Sequence, residues 1–508
     1  MSTIQPKQTA FRASTWLQLP IVVLVLLVSL YVAVSPPNRL LNWYNNDDGF
    51  YYFVVARNIA GGAGVTFDGV NPANGFHPLW MMICIPIFAV FNSDPLLPLR
   101  VIVLVFGVFQ AAAMLLLFDM LAKKLPLLLS CLLTLLFGLA PSLYSAILSG
   151  GLESGLGFFM IFLLIWLVQK SRAGRRDLLW LAIAGLAAGL TVLSRLDSIF
   201  TVAFLGLWCI FDRTEDSVQI LTDIIAACII VMLSAGIRLG FNLLYFDRTV
   251  LSLIILWAAL GALGGFLNGL YSYKPFPIKT RPILRTLLIH AALTAVIAAV
   301  SWLLAKTGLL ETWSRAVLVY SSAGWLLYTL AKQFLLRNRR SLSDTPARMP
   351  IASAFWHWVK KPLAWYLPVA VLLGGYMAWS QAKFGTPTPV SGQIKVWWGS
   401  LGITVYGSPI HSFQELFQFL FGKGSPFFYL YEALNPVFAG LKTAPVRAGM
   451  FSWGLLVLGF LALLVVGQKN RLAGWLKDLA VLPLTAGILL RLIYFFVTGY
   501  VHFRKWYW

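Results

Sequence analysis

The chain has 508 residues, of which 59% are hydrophobic and only 11% are charged, and its mean hydropathy is +0.80. A soluble chain of this length carries roughly a quarter charged residues, so the composition excludes an ordinary soluble protein and predicts an all-α polytopic protein of the lipid bilayer. The net charge of +21 does not indicate nucleic-acid binding, because most lysines and arginines lie in short loops between apolar runs.

Apolar runs of spanning length begin at residues 16–35 and recur along the chain. The run at 77–91 is short and contains Pro78 and Pro86, so we expect a helix that lies in or dips into the membrane interface. Further spans are predicted at 96–118, 125–142, 153–169, 178–194, 198–212, 217–236, 249–271, 286–304, 316–335, 363–380, 450–467 and 478–497. The total is about thirteen spanning helices.

Clusters of basic residues set the predicted orientation, because cytoplasmic loops are rich in lysine and arginine. The clusters lie at residues 7–12, 123–124, 170–176, 274–285, 337–361 and 469–477. With the run at 77–91 left out, each interval between clusters holds an even number of spans, so all clusters can face the cytoplasm. This places the N-terminus inside and the C-terminus outside.

Residues 1–508 are thus predicted to form a single transmembrane domain with two long external loops. The first loop covers residues 36–95, and the second, at 381–449, is rich in aromatic residues, glycine and proline. The basic stretch 337–361 is predicted to be the one sizeable cytoplasmic loop.

Asp47 and Asp48 form an adjacent acidic pair in the first external loop, just before a helical pattern at 49–60. Capping of that helix is one explanation, because aspartate accepts hydrogen bonds from the orphan N–H groups of a helix start. The other explanation is catalytic: a carboxylate near the bilayer surface can accept a proton from a hydroxyl.

The segment 47–80 reads DDGFYYFVVARNIAGGAGVTFDGVNPANGFHPLW. It resembles the first external loop of GT-C-type membrane glycosyltransferases, and is most similar to bacterial arabinofuranosyltransferase-like and protein-mannosyltransferase-like members. Those families place an acidic pair after the first helix, then an Ala-Arg-Asn-type helix, then a His-Pro helix on the membrane surface. The resemblance covers the first third of the chain well and the remainder loosely.

The resemblance implies a GT-C-like bundle with surface-lying helices, at the outer face of the bacterial inner membrane. It implies inverting transfer of a sugar from a polyprenyl-phosphate carrier to a hydroxyl of a glycan, lipid or protein acceptor. Phosphate is a stable leaving group that needs no proton, unlike the alcohol lost in glycoside hydrolysis. By position in the motif, Asp47 is the expected base, and Asp48 is expected to orient the acceptor or a cation.

Cations are needed to stabilise the phosphate. Arg491 falls inside the last predicted span and Arg504 lies near the C-terminus, so both are candidates. The alternatives are that Arg491 snorkels to the outer interface and that Arg504 anchors the chain at the membrane surface.

The second loop contains Pro389-Val390-Ser391-Gly392, followed by Lys395. It resembles an element of uncharacterised relatives of the superfamily. We expect either an irregular backbone whose N–H groups and Lys395 face an anion, or an ordinary turn that leads into an amphipathic helix.

Three further residues are candidates for substrate binding. Glu153, in a Gly-Leu-Glu-Ser element also found in those relatives, otherwise complements a helix dipole. Arg195 shares a short external turn with Asp197, with which it otherwise simply pairs. His77 matches the His-Pro of the motif and otherwise is a structural histidine at the polar–apolar boundary.

No resident cofactor or metal is predicted, because cysteines and histidines do not cluster at ligand spacing. A divalent cation, used by some GT-C branches, is left open. Two other functions are also left open: a transporter or flippase of lipid-linked sugar, and an inactive accessory membrane protein of the same fold. Transporters commonly show internal repeats and broken helices, which the sequence does not display.

Overall fold

The computed structural model of the chain describes residues 6–44, 47–139, 148, 150–173, 178–210, 214–240, 248–268, 270, 282–307, 314–337, 351–400, 413–422, 425, 427–428, 430–431, 445–465, 474 and 480–497. Over these ranges all regular secondary structure is helical, apart from one isolated bridge between Thr66 and Pro72. The predicted all-α class is confirmed for this part of the chain.

The helices follow one another with short connections. The first are α1 Pro6–Ala33, α2 Pro37–Trp43, α3 Asp48–Ala60, α4 Pro78–Val90, α5 Leu97–Ala122 and α6 Leu127–Gly138. The next are α7 Ser154–Ala173, α8 Leu178–Ser194, a 3-10 turn Leu196–Ser198, α9 Ile199–Ile210, α10 Thr214–Leu239, α11 Arg248–Leu267, α12 Pro282–Lys306 and α13 Arg315–Arg337. The last are α14 Ile351–Phe384, α15 Val390–Ser400, α16 Phe413–Phe421, α17 Pro445–Val465 and α18 Val481–Val497.

Several of these helices are long and apolar enough to cross a membrane. A helix rises about 1.5 Å per residue, so about 20 residues span the hydrocarbon core. Among the described residues five stretches meet this requirement: Leu97–Ala122, Ser154–Arg172, Ser217–Leu239, Ile283–Lys306 and Val359–Phe384. The chain is therefore a helical membrane protein, while the total of about thirteen spans stays a prediction.

Helix α14 differs most from the sequence-based expectation. The span was predicted to begin at residue 363, yet the helix begins at Ile351 and continues through Pro362 and Pro368. Proline removes only one backbone donor, and packed helices tolerate it in a membrane protein. The end of the stretch 337–361 is thus helical rather than loop.

Glycines allow α14 to approach α8 closely. A Cβ atom at Gly185 would lie 2.6 Å from the carbonyl oxygen of Ala364, and one at Gly189 would lie 2.7 Å from Leu372 Cδ1. Small residues spaced by four let two helix backbones meet, which is a common packing mode in membranes. This contact fixes the end of α8, where part of the site lies.

Residues 36–95, the predicted first external loop, pack against α5 and α7 where they are described. Trp80 of α4 is fully buried, and its ring lies 4.9 Å from that of Phe106 in α5. Tyr44 and Phe53 contact each other edge to face at 5.6 Å in the same core. Helix α4 has 13 residues, or roughly 20 Å of length, which is too short to span the bilayer. Its lying at the membrane surface stays a prediction.

Candidate functional site

Asp47 and Asp48 lie exposed at the start of α3. The helix begins within one residue of the predicted position. Asp47 occupies the cap position, but its side chain makes no capping hydrogen bond, and only its carbonyl oxygen accepts the N–H of Phe50, at 2.9 Å. Helix capping therefore does not account for the Asp47 carboxylate.

Gly49 brings the start of α3 into direct contact with the turn that precedes α7. A Cβ atom at this position would lie 2.4 Å from the carbonyl oxygen of Gly150, which is closer than real Cβ contacts come. Only a residue without a side chain permits this approach. The acidic pair is thereby held against the Gly150-Gly151 turn.

The turn itself also requires glycine. Gly151 has φ +69°, and a Cβ atom there would lie 2.8 Å from the Phe53 ring. Its carbonyl oxygen accepts the indole N–H of Trp80, at 3.1 Å. The turn thus packs against α3 and α4. Glu153, which follows it by two residues, is thereby placed beside these two helices.

Glu153 is buried and belongs to a hydrogen-bond network. The Tyr52 hydroxyl donates to Glu153 Oε2 at 2.9 Å, and it accepts the backbone N–H of His77 at 3.0 Å. Burial, together with the charge of Glu153, raises the pKa of Tyr52 well above its ordinary value. Tyr52 is therefore a neutral donor that satisfies one oxygen of the buried carboxylate.

His77 joins this network to the turn between α8 and α9. Its Nδ1 accepts the backbone N–H of Leu196 at 3.1 Å, and its Nε2 lies 3.5 Å from Glu153 Oε1. Because Nδ1 accepts, the neutral ring carries its proton on Nε2, which faces the carboxylate. The histidine thus links α4, α7 and the α8–α9 turn.

Two arginines converge on Asp197 in the same turn. Arg195 Nε lies 3.1 Å from Asp197 Oδ1, and Arg491 of α18 donates to Asp197 Oδ2. Burial alone would raise the pKa of Asp197, but the charges of Arg195 and Arg491 outweigh it and hold that pKa well below its usual range. The carboxylate is therefore ionised and orients both guanidinium groups.

Arg491 forms an ion pair with Asp197. The predicted pairing of Arg195 with Asp197 is confirmed, and Arg491 extends it to a triad. Glu153 likewise does more than complement a helix dipole, because its carboxylate is bonded to Tyr52 and faces His77.

The second loop contains a helix close to its start. Residues 390–400 form α15 after a non-helical stretch at 385–389, so the expected turn that leads into a helix is confirmed, while anion binding by this stretch stays a prediction. A buried amide explains why: Asn74 Oδ1 accepts the N–H of Val390 at 3.0 Å, as an N-cap does. Lys395 lies within α15, but its side chain is outside the described part of the chain, as is Arg504.

The structure therefore connects His77, Glu153, Arg195 and Arg491 through direct contacts and through Leu196 and Asp197, although they come from four separate segments. Sequence analysis missed Tyr52, Asn74 and the bridging role of Asp197. A signal for Tyr52 exists, because it follows Asp48 by one helical turn and shares its helix face. A contact such as that of Asn74 with Val390, 316 residues apart, leaves no local pattern.

The described residues contain no group of three or more His, Cys, Asp or Glu side chains that could hold a metal ion. The residues of the site thus give no support to a divalent cation. Comparison with protein families, curated proteins and solved structures finds no match for the chain. Function is therefore inferred from the site and from the resemblance of segment 47–80.

Proposed function

We propose that the chain is an inverting glycosyltransferase that moves a sugar from a polyprenyl-phosphate carrier to an acceptor hydroxyl outside the cytoplasm. The observation that carries the proposal is the exposed pair Asp47 and Asp48, held by main-chain contact to the turn that bears Glu153. The resemblance of this segment to the GT-C first external loop gives the donor class. A GT-C-like bundle of about thirteen spans in the bacterial inner membrane belongs to the same proposal.

The chemistry requires one base and a stable leaving group. The Asp47 carboxylate accepts the proton of the acceptor hydroxyl, whose oxygen forms a bond to the anomeric carbon. The bond from that carbon to the phosphate oxygen breaks on the opposite face, and polyprenyl phosphate leaves with the electron pair. Attack opposite the leaving group inverts the anomeric centre, and phosphate needs no acid to depart.

The net positive charge around Asp197 supports a phosphate as the leaving group. Arg195, Asp197 and Arg491 together carry one net positive charge, since two guanidinium groups share one carboxylate. A fixed positive charge stabilises the negative charge that develops on a departing phosphate. In the proposal, these arginines and His77 face the carrier phosphate, and the acidic pair faces the acceptor.

The test is replacement of each acid by its amide. Asp47→Asn and Asp48→Asn are assayed in membranes for transfer of labelled sugar from polyprenyl-phosphate arabinofuranose and polyprenyl-phosphate mannose. Loss of a general base is expected to lower transfer by the Asp47→Asn variant roughly 100-fold or more, with a smaller loss for Asp48→Asn.

The matched control is Asp68→Asn, an exposed acid of the same loop whose carboxylate bonds Val70 and Asn71 within its own turn. This variant keeps an acceptor oxygen and is expected to transfer sugar at the wild-type rate. Wild-type transfer by both Asp47→Asn and Asp48→Asn contradicts the proposal. Movement of the lipid-linked sugar across the membrane without transfer identifies a flippase instead.

A further inference from the structure

In the described part of the chain, the two predicted external loops meet at a buried amide. Asn74 is only 4% exposed, and both ends of its side chain bond the start of α15. Its Oδ1 accepts the N–H of Val390 at 3.0 Å, while its Nδ2 donates to the carbonyl oxygen of Thr388 at 3.4 Å. A buried amide bonded at both ends fixes the orientation of the segment that it contacts.

The neighbouring backbone makes a second, independent contact. A Cβ atom built on Gly75 lies 3.5 Å from Ser391 Cβ, which is ordinary van der Waals distance. Among the described side chains of α15, Val390, Ile394 and Trp397 are exposed. The contact at residues 74–75 is thus one that ties the start of α15 to the first loop.

The start of α15 also has hydrogen bonds within the second loop. Gln393 Nε2 donates to Thr386 Oγ1 at 2.7 Å and to Thr388 Oγ1 at 3.1 Å. These bonds close the turn into the helix. Asn74 adds a cap from the first loop to these local bonds, and this cap ties the helix to that loop.

Asn74 lies close in sequence to His77, which belongs to the buried hydrogen-bond network. His77 follows Asn74 by three residues, and the intervening Phe76 is buried. We propose that Asn74 is a positioning residue, which docks α15 of the second loop onto the site and so makes the substrate-binding surface from both external loops. This inference rests on the proposed function, since the surface it completes is that of the transferase.

A positioning role affects binding rather than the chemical step. Asn74→Ala removes both hydrogen bonds to α15 and leaves Asp47 and the buried network in place. We expect KM for the polyprenyl-phosphate sugar or the acceptor to rise about tenfold, with kcat within about twofold of wild type. The control is Asn71→Ala, because the Asn71 side chain bonds Asp68 within its own loop. Equal KM values for Asn74→Ala and wild type overturn the proposal.

A disulfide can replace the lost contact. The pair Gly75→Cys and Ser391→Cys has a Cβ separation of 3.5 Å, which suits a disulfide. The native Cys84, Cys131 and Cys209 are buried, and the partly exposed Cys228 is replaced by serine in all variants, so mild oxidation selects the introduced pair. Crosslinking is read from the electrophoretic mobility of the purified full chain after a single cleavage between the two positions, which needs no activity.

Rescue distinguishes docking from any other effect of Asn74. In the Asn74→Ala background, the oxidised Gly75→Cys, Ser391→Cys pair is expected to restore the wild-type KM, and reduction to raise it again. Failure to form the crosslink contradicts the docking, and a crosslink without restored KM contradicts the positioning role. Absence of sugar transfer in the wild-type chain removes the proposed function and the positioning role with it, while crosslinking still reports whether α15 docks.

Discussion

Tyr52 illustrates how single side chains complete the buried network. Its hydroxyl accepts one hydrogen bond, from the His77 backbone, and donates another, to Glu153. Phenylalanine has the same shape but can replace neither bond. Loss of the hydroxyl leaves a buried N–H and a carboxylate oxygen without this partner, and a buried unsatisfied group costs about 1–3 kcal/mol.

The change Tyr52→Phe is therefore expected to destabilise the protein by about 1–3 kcal/mol. The adjacent Tyr51→Phe is the matched control, because Tyr51 is 56% exposed and its replacement is expected to change stability by less than about 0.5 kcal/mol. Thermal unfolding of the two variants in detergent, followed by intrinsic fluorescence, measures the difference. Equal unfolding temperatures for both would show that the network adds no stability.

At the scale of helices, Arg491 connects α18, the last helix described, to the turn before α9. Helix α18 approaches α9 closely at Gly487, where a Cβ atom would lie 2.8 Å from Thr201 Cα. This approach allows Arg491 to reach Asp197 in the turn before α9. The last helix is thus part of the site and not merely an additional membrane anchor.

Acidification should weaken this connection. Because the folded-state pKa of Asp197 lies below its ordinary value of 3.8, its ionised form stabilises the fold fully above that value and progressively less below it. The unfolding temperature of wild type minus that of Asp197→Asn is therefore expected to be constant from about pH 7 to 5 and to shrink below about pH 4. A difference that stays constant down to about pH 3 argues against the ion pairs as its source.

Helix boundaries follow from the local pattern where the apolar run is uninterrupted. The span 178–194 was predicted with the bounds that α8 has, and the helix after the acidic pair begins one residue early. The predicted start of α14 was wrong, because the basic residues of 337–361 indicate a loop, whereas the helix begins at Ile351. At α15 the sequence left two expectations open, because the cap that favours the helix comes from Asn74 in another loop.

For the site, the sequence identified side chains but not their partners. His77, Glu153, Arg195 and Arg491 were each proposed singly, on a motif or on an unusual position, and the structure brings them together. Their contacts join segments far apart in the chain, and a single sequence carries no record of such pairings. Partners such as Tyr52 were missed because tyrosine is common at membrane interfaces.

For the whole molecule, orientation is the property that decides on which side the proposed chemistry takes place. The basic clusters predict that the loop containing residues 61–77 faces outward and that Lys170 faces the cytoplasm. Within the loop, Val70 is 79% exposed, so a probe attached there is accessible.

Val70→Cys is expected to react with a membrane-impermeant maleimide in spheroplasts of intact inner membrane. A matched Lys170→Cys variant is expected to react only after permeabilisation. Cys84, Cys131 and Cys209 are buried and the partly exposed Cys228 is replaced by serine in both variants, so background labelling is low. Labelling of Lys170→Cys from outside reverses the predicted orientation and places the acidic pair in the cytoplasm.

The backbone contact between Gly49 and Gly150 has a consequence for how this protein tolerates change. Main-chain atoms set the position of the exposed Asp47 and Asp48 relative to the buried Glu153. Substitutions elsewhere in the loop leave these main-chain atoms unaltered. The outer part of the loop can therefore vary in sequence without changing that relative position. A side chain at Gly49, in contrast, is expected to push the start of α3 away from the turn before α7 even when every candidate site residue is retained.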